Sequence, residues 1–330
     1  MASDPIQQLT RADIEARAES LRQPWHANYY AMYSSILGGI VTDPLLMQVP
    51  ADDHVVHRGD GVFETIKCVD GALYGLKPHL ARLLASAAAV RILPPLSMDR
   101  LESLLPGTVR AGGQRNALVR LILSRGPGGF GVNPAECPRS VLYIIAYRLP
   151  PSFMETHPEG ARVIRSRLPV KPSLLATAKT CNYLLNALMK QEANEAGSDF
   201  ALGFDERGFL AESATENVGL VTEGGELVFP NSGRILEGIT MSRVRELASR
   251  ETACGFLSAV RRADLREDDL RSASEILIFG TTPDVTSVTT YDGRPVGNGQ
   301  PGPVRARLQE RLLADILHNP ELRTPCFDPD

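Results

Sequence analysis

Residues 178–221 set one lysine and one glutamate at the two ends of a helix and a hairpin, and no other stretch constrains the fold of this chain as much. The stretch opens Lys179-Thr180-Cys181-Asn182-Tyr183 and continues with apolar residues at helical spacing, Leu184, Leu185, Leu188 and Ala193. Asn182 and Lys190-Gln191-Glu192 fall on the wetter side, so the lysine is expected at the mouth of an amphipathic helix. Phe200-Ala201-Leu202-Gly203-Phe204 reads as a short strand and Asp205-Glu206-Arg207-Gly208 as a turn, after which Phe209-Leu210-Ala211 leads to Glu212. Such a hairpin can bring the glutamate back near the point where the lysine left. A plainer reading stays open on these residues alone, with Lys179 a solvated helix-start residue and Glu212 an ordinary surface acid.

An amine that forms an imine with an aldehyde, and an acid that keeps a heteroaromatic ring nitrogen protonated, are the two groups that pyridoxal phosphate chemistry asks of a protein. The lysine inventory narrows the choice. The chain's only lysines are Lys67, Lys77, Lys171, Lys179 and Lys190. Lys77 and Lys171 each precede a proline on a polar turn, and Lys190 lies on the polar face of the helix. Lys67 stands late in a strand beside a hairpin turn, where solvent is its expected neighbour. Lys179 is the best candidate.

At 330 residues the chain can build two domains with substantial cores. Its net charge of −4 and scattered arginines offer no basic stripe for nucleic acid. The 5 cysteines are far apart and lack a Cys-x-x-Cys pair, which speaks for reduced thiols in a cytoplasm and against a zinc site. Cys181 is better read as small apolar packing than as a nucleophile, since no histidine stands beside it. No signal-like N-terminus is present, and no apolar run approaches the roughly 20 residues that a membrane span requires.

Residues 10–21 read as a charged helix capped by Thr10, and residues 31–47 as strand and turn. His57-Arg58-Gly59-Asp60-Gly61-Val62-Phe63-Glu64-Thr65-Ile66 turns on its glycines and then alternates into a strand, with Arg58 and Phe63 candidates to flank a cavity at its entrance. Asp70-Gly71 marks a hairpin, and Pro78-His79-Leu80-Ala81-Arg82-Leu83 opens a helix on which Arg82 could simply be solvated. Residues 116–124 and 141–147 read as buried strands joined through the glycine loop Arg125-Gly126-Pro127-Gly128-Gly129-Phe130-Gly131. Pro150-Pro151 opens an expected linker. Further on, Gly238-Ile239-Thr240 starts a helix whose first backbone N–H groups suit an anion. A buried strand at 276–279 ends in Gly280-Thr281-Thr282, and residues 303–317 form a closing amphipathic helix.

Lys179-x-x-Asn182-Tyr183-Leu184 followed by Glu212-x-x-x-x-Asn217, together with the Gly-Asp-Gly turn and the His-x-x-Arg-Leu helix start, resembles the class IV aminotransferases of fold type IV. The resemblance runs from about Tyr33 to Leu313. It implies an α+β chain of two α/β domains with pyridoxal 5'-phosphate between them, assembled as a homodimer and acting on an amino acid and a 2-oxo acid. The corresponding partition is a helical extension at 1–30, a small domain at 31–149, a linker at 150–160 and a larger domain at 161–330. The family's roles fall on Lys179 as the cofactor amine and proton carrier, Glu212 at the ring nitrogen and Tyr183 at the phenolic oxygen. Arg82, Ile239, Thr240, Thr281 and Thr282 would hold the phosphate, for which a guanidinium fork is well shaped.

Substrate choice is less constrained. Phe63 and Phe130 stand where the best-known D-amino-acid aminotransferases carry polar groups for the substrate carboxylate, which leaves Arg58 and Arg125 as the expected replacements. The His-Arg-Gly-Asp-Gly-Val-Phe turn, the glycine loop and Lys171-Pro172 look most like plant-type D-amino-acid aminotransferases and their bacterial relatives. Branched-chain or other L-amino-acid aminotransferases, which often show the pair Glu216-Asn217, and aminodeoxychorismate lyases are the alternatives. A pyridoxal-binding protein without turnover is a fourth.

Overall fold

The computed structural model describes residues 6–171 and 173–328. Pro172, read above as part of a polar turn with Lys171, lies outside them, as do residues 1–5 and 329–330 of the expected partition. The described residues form two sheets with helices on their faces.

In the first sheet, of 7 strands, the order is Arg323–Pro325, Ala72–Tyr74, Gly61–Val69, Ala117–Ser124, Val141–Arg148, Tyr29–Ser34 and Gly39–Val41. Its neighbours pair antiparallel throughout. The Asp70-Gly71 hairpin forms as the sequence predicts: both residues have positive φ, 48° and 71°, as a two-residue turn between twisted strands requires. Helices Leu76–Ala89 and Met98–Gly112 cover one face, and Leu80, Leu83 and Leu105 meet Ile66, Val119 and Leu121 in its core. The second sheet, of 9 strands, is mixed; Glu226–Pro230 pairs parallel with Ala259–Ala263, and Ala161–Arg165 pairs parallel with both Phe200–Phe204 and Asp284–Tyr291. Helices Ile239–Ala253 and Pro303–His318 pack on it.

The chain does not keep the sheets separate. Arg323–Pro325 leaves the second half and becomes the edge strand of the first sheet. The expected linker carries a short helix, Phe153–Thr156, whose first ring stacks on His157 at 4.2 Å. Polar bonds also cross between the halves: Tyr74 O–H donates to Asp315, and Arg82 Nη1 donates to the Glu237 carbonyl.

Two local expectations are corrected. Helix Leu184–Glu195 buries Met189 and Ala193, whereas Leu184 is 74% exposed and Leu188 also faces outward. Its apolar stripe therefore covers more of the helix surface than this chain's own core can bury. Lys67 is buried and bonds Asp284 instead of meeting solvent. The cause is the period of a strand: Phe63, Thr65 and Lys67 share one face, and the second half of the chain covers it.

Phe229 is fully buried, 5.4 Å from Phe279 on the strand behind the cleft between the sheets. Phe229→Ala should therefore lower the unfolding free energy by about 3–5 kcal/mol, read from denaturant titration; a loss below about 1 kcal/mol would show that this core is not close-packed.

Candidate active site

Strand Gly61–Val69 is paired along its length with Ala117–Ser124 on one side, but its other edge is covered by Ala72–Tyr74 only at Cys68 and Val69. The open half of that edge is filled by the lysine segment. Phe63 N–H donates to the Lys179 carbonyl at 2.9 Å and Cys181 N–H to the Gly61 carbonyl at 2.8 Å, with Val62 opposite Thr180. The approach needs small residues: Gly59 has φ 64°, and a Cβ on it would sit 3.1 Å from Asn182 Cα. The first glycine of the Gly-Asp-Gly turn is thus explained by the return of the lysine segment.

This pairing aims Lys179 into a cavity of about 220 Å³ between the two sheets. Phe63, Arg82, Tyr183, Ile239, Thr240, Thr281 and Thr282 line it together with Lys179, so the structure gathers most of the sequence-predicted site residues at one place. Lys179 Nζ stands 4.7 Å from the centre of the Phe63 ring and donates to the Tyr183 hydroxyl at 3.4 Å. Phe63 and Tyr183 meet edge to face, with centroids 5.0 Å apart. Burial, helped by the charge of Arg82, pulls the Lys179 ammonium down to about 8. An amine of that acidity is available as a nucleophile or base at neutral pH. The Tyr183 phenol is pushed above its ordinary range by burial.

At one end of the cavity sit the groups that suit a phosphate. Helix Ile239–Ala253 starts there with Gly238 as N-cap, which supplies no side chain to its first N–H groups. The Thr281 and Thr282 turn faces it. Arg82 completes the set, and its orientation is fixed by a residue to which the sequence reading assigns no role. Glu64, fully buried, accepts from Arg82 Nε at 2.8 Å and Nη2 at 2.7 Å, and His79 Nδ1 lies 2.7 Å from the same carboxylate. Burial would raise the Glu64 carboxyl, but the Arg82 fork and His79 outweigh it and bring it down to about 2.

Glu212 stands behind the cavity wall, not in it. Its Oε2 accepts from Leu236 N–H at 3.1 Å and from Asn217 Nδ2 at 3.5 Å, and both of those residues line the cavity. Among the described residues, no donor bonds its Oε1. Burial lifts its carboxyl to about 7. A buried acid lacking a close cation partner is fitted by a ring N–H, as an uncapped helix start is fitted by a phosphate. The residues lining the cavity therefore fit the phosphate and the aldehyde of pyridoxal phosphate, and Glu212 lies one residue layer behind, bonded to the wall residues Asn217 and Leu236.

The expected substrate residues are placed differently. Arg58 is exposed, and its donors are taken by the carbonyls of His57, Phe130 and Gly131. Arg125 is committed to both oxygens of Asp60 and to the carbonyls of Val90 and Arg91. Phe130 is 67% exposed and packs on His57. None of these three lines the cavity, whereas Arg120 does. Arg120 pairs with Thr65 across the strands and lies over the Phe63 ring at 4.6 Å, and among the described residues its guanidinium has no hydrogen bond or ion pair. Its signal in the sequence was a lone charge amid the apolar run Ala117-Leu118-Val119-Arg120-Leu121-Ile122-Leu123.

Known proteins agree with this picture. The family described as Amino-transferase class IV matches residues 61–291. The chloroplastic D-amino-acid transaminase of Arabidopsis thaliana is 37% identical over 293 residues, 88% of this chain and 78% of that one. A putative branched-chain-amino-acid aminotransferase of Methanocaldococcus jannaschii is 34% identical over 276 residues, 84% of this chain and 94% of that one. Among solved structures, the T.th. branched-chain amino acid aminotransferase with pyridoxamine 5'-phosphate superposes with a TM-score of 0.83 at 30% identity, over 91% of this chain and 99% of that one. The chain belongs to the class IV aminotransferases, fold type IV enzymes that use pyridoxal phosphate.

Proposed function

We propose that this aminotransferase moves the amino group of a D-amino acid such as D-alanine to a 2-oxo acid, with Arg120 receiving the substrate carboxylate. The observation that carries the reading is the Arg120 guanidinium in the same cavity as Lys179, stacked on Phe63 but with no hydrogen bond or ion pair among the described residues. A half-buried cation of this kind is satisfied by a carboxylate, which an amino acid brings and a simple amine does not. The choice of enantiomer rests on the similarity to the plant D-amino-acid transaminase and on the turn and loop residues that look like those enzymes. A branched-chain L-amino acid is the second reading, favoured by the apolar rings of Phe63 and Phe279 on the cavity wall.

Bound pyridoxal phosphate supplies an aldehyde carbon and a ring that accepts electrons. Lys179 Nζ would hold the cofactor at its aldehyde carbon and would carry the proton at the substrate α-carbon. Glu212 would keep a proton at the ring nitrogen, and Tyr183 O–H would serve the phenolic oxygen. Arg82, the Ile239 and Thr240 N–H groups, and the Thr281 and Thr282 hydroxyls would hold the phosphate. Arg58, Arg125 and Phe130 shape the glycine loop, which Arg58 and His54 tie down through the Gly129, Phe130 and Gly131 carbonyls. A homodimer accords with the outward apolar side chains at and near that loop, Val56, Phe130 and Val132. Free cysteines accord with a cytoplasmic setting, and among the described residues no helix is long and apolar enough to cross a membrane.

Uptake of pyridoxal phosphate by the cofactor-free chain, followed by visible absorbance, should quicken with pH around a midpoint of about 8, where an ordinary lysine would titrate near 10.5. Lys179→Ala should lose both that absorbance and turnover, and retention of either removes the role.

For Glu212 the linkage runs opposite to the usual carboxylate. Its folded value of about 7 lies above the ordinary 4.5, so between those values the folded state holds a proton that the unfolded chain has lost. Stability of the cofactor-free protein then falls as pH rises through that window and stays lower above it. Glu212→Gln should therefore raise the cofactor-free Tm at pH 8 while slowing turnover by about 100-fold or more; unchanged turnover would count against the assignment.

Arg120→Leu should lower kcat/KM for amino acids, a loss of about 2–5 kcal/mol of transition-state stabilisation, and leave a carboxylate-free chiral amine unaffected. A half-reaction screen on the holoenzyme with D-alanine, D-glutamate, L-leucine and L-glutamate decides the enantiomer, and conversion by L-leucine alone would replace the first reading with the second.

A further inference from the structure

Lys67 and Asp284 form an ion pair that joins the two halves of the chain and is used by none of the chemistry above. Both are 7% exposed. Lys67 is the third residue on the strand face that presents Phe63 and Thr65 to the cavity. Asp284 is the first residue of its strand, opposite Gly280, and between the two runs the loop Thr281-Thr282-Pro283 that lines the cavity.

Asp284 has φ 54°, a left-handed conformation that an aspartate tolerates better than most residues but that does not hold itself. The neighbouring bonds show what holds the loop. Val285 N–H donates to Gln309 Oε1 at 3.0 Å, which fixes the far side of the turn to helix Pro303–His318, and the Thr286 hydroxyl closes the turn on the Pro283 carbonyl at 3.0 Å. These bonds all come from the second half of the chain. Lys67 is the tie from the first half, the half that also carries Arg82. Glu155, on the short helix Phe153–Thr156, adds its charge to the surroundings of Asp284.

We propose that Lys67 and Asp284 are positioning residues for the cofactor phosphate: their ion pair sets the Thr281-Thr282 turn against Arg82 across the cleft. The proposal rests on the reading that Thr281 and Thr282 hold phosphate. Removing the lysine leaves a buried aspartate without its cation, so the turn relaxes away from the cleft. The reach of Lys67 stops at the turn, so the loss falls on the phosphate and not on the ring.

The test compares pyridoxal 5'-phosphate with unphosphorylated pyridoxal on the cofactor-free full chain, by equilibrium dialysis and by cofactor release from the holoenzyme. Lys67→Met should weaken pyridoxal 5'-phosphate by about tenfold or more, the worth of one hydrogen bond to a charged group, and leave pyridoxal unchanged. Lys67→Arg, which keeps the cation, should recover most of the affinity. Should Lys67→Met fail to fold, the double variant Lys67→Met/Asp284→Asn removes both charges, keeps a residue that tolerates left-handed backbone, and should show the same selective loss. Wild-type affinity for pyridoxal 5'-phosphate in the double variant, or an equal fall for both compounds, overturns the proposal. Thr281→Ala/Thr282→Ala separates the underlying reading: if it leaves the phosphorylated compound bound as tightly as before, the turn is not a phosphate ligand at all.

Discussion

Two backbone hydrogen bonds, from Phe63 to Lys179 and from Cys181 to Gly61, carry the architecture of this site. Main-chain pairing places a Cα far more firmly than a flexible side chain could be placed by its own contacts. Because the lysine segment is laid along a strand edge, the Lys179 side chain leaves from a fixed point beside Phe63. A lysine on a mobile turn would spend most of its time in water, where its amine is protonated. Here the same pairing that fixes its direction also buries it, and burial supplies the free amine that the chemistry requires.

The charges around the cavity divide into those already satisfied and those left open. Arg82 is held by Glu64 and His79, so its position is settled before any ligand arrives. Arg58 and Arg125 spend their donors on carbonyls and on Asp60. Arg120 and one oxygen of Glu212 lack such partners among the described residues; Arg120 lines the cavity, and Glu212 lies behind the part of its wall formed by Asn217 and Leu236. An unsatisfied buried charge reduces stability, and enzymes keep such groups where a ligand completes them.

Much of this was legible in the sequence because it is local. The Asp70-Gly71 hairpin, the Thr10 cap and the glycine start of the helix at Ile239 are short-range patterns, and the structure bears these elements out. The family resemblance carried the fold and the cofactor. What the sequence hid depends on tertiary neighbours. Lys67 looks solvated until the second sheet covers its face. Leu184 and Leu188 look like core until the helix is seen to bury Met189 and Ala193 instead. Arg58 and Arg125 look like ligands until their donors are counted, and the place of Arg120 on the cavity wall shows only when the strands are paired.

The edge strand Arg323–Pro325 gives the molecule an unusual order of assembly. A chain leaving the ribosome completes every other strand of its first sheet long before this one is made, and Ala72–Tyr74 waits with one edge unpaired. Closing the sheet requires contact between residues far apart in sequence, the kind of contact that slows folding and leaves an edge open to other chains meanwhile. The nascent first half should therefore be the segment that most needs shielding by chaperones, and Arg323–Pro325 the residues that release it.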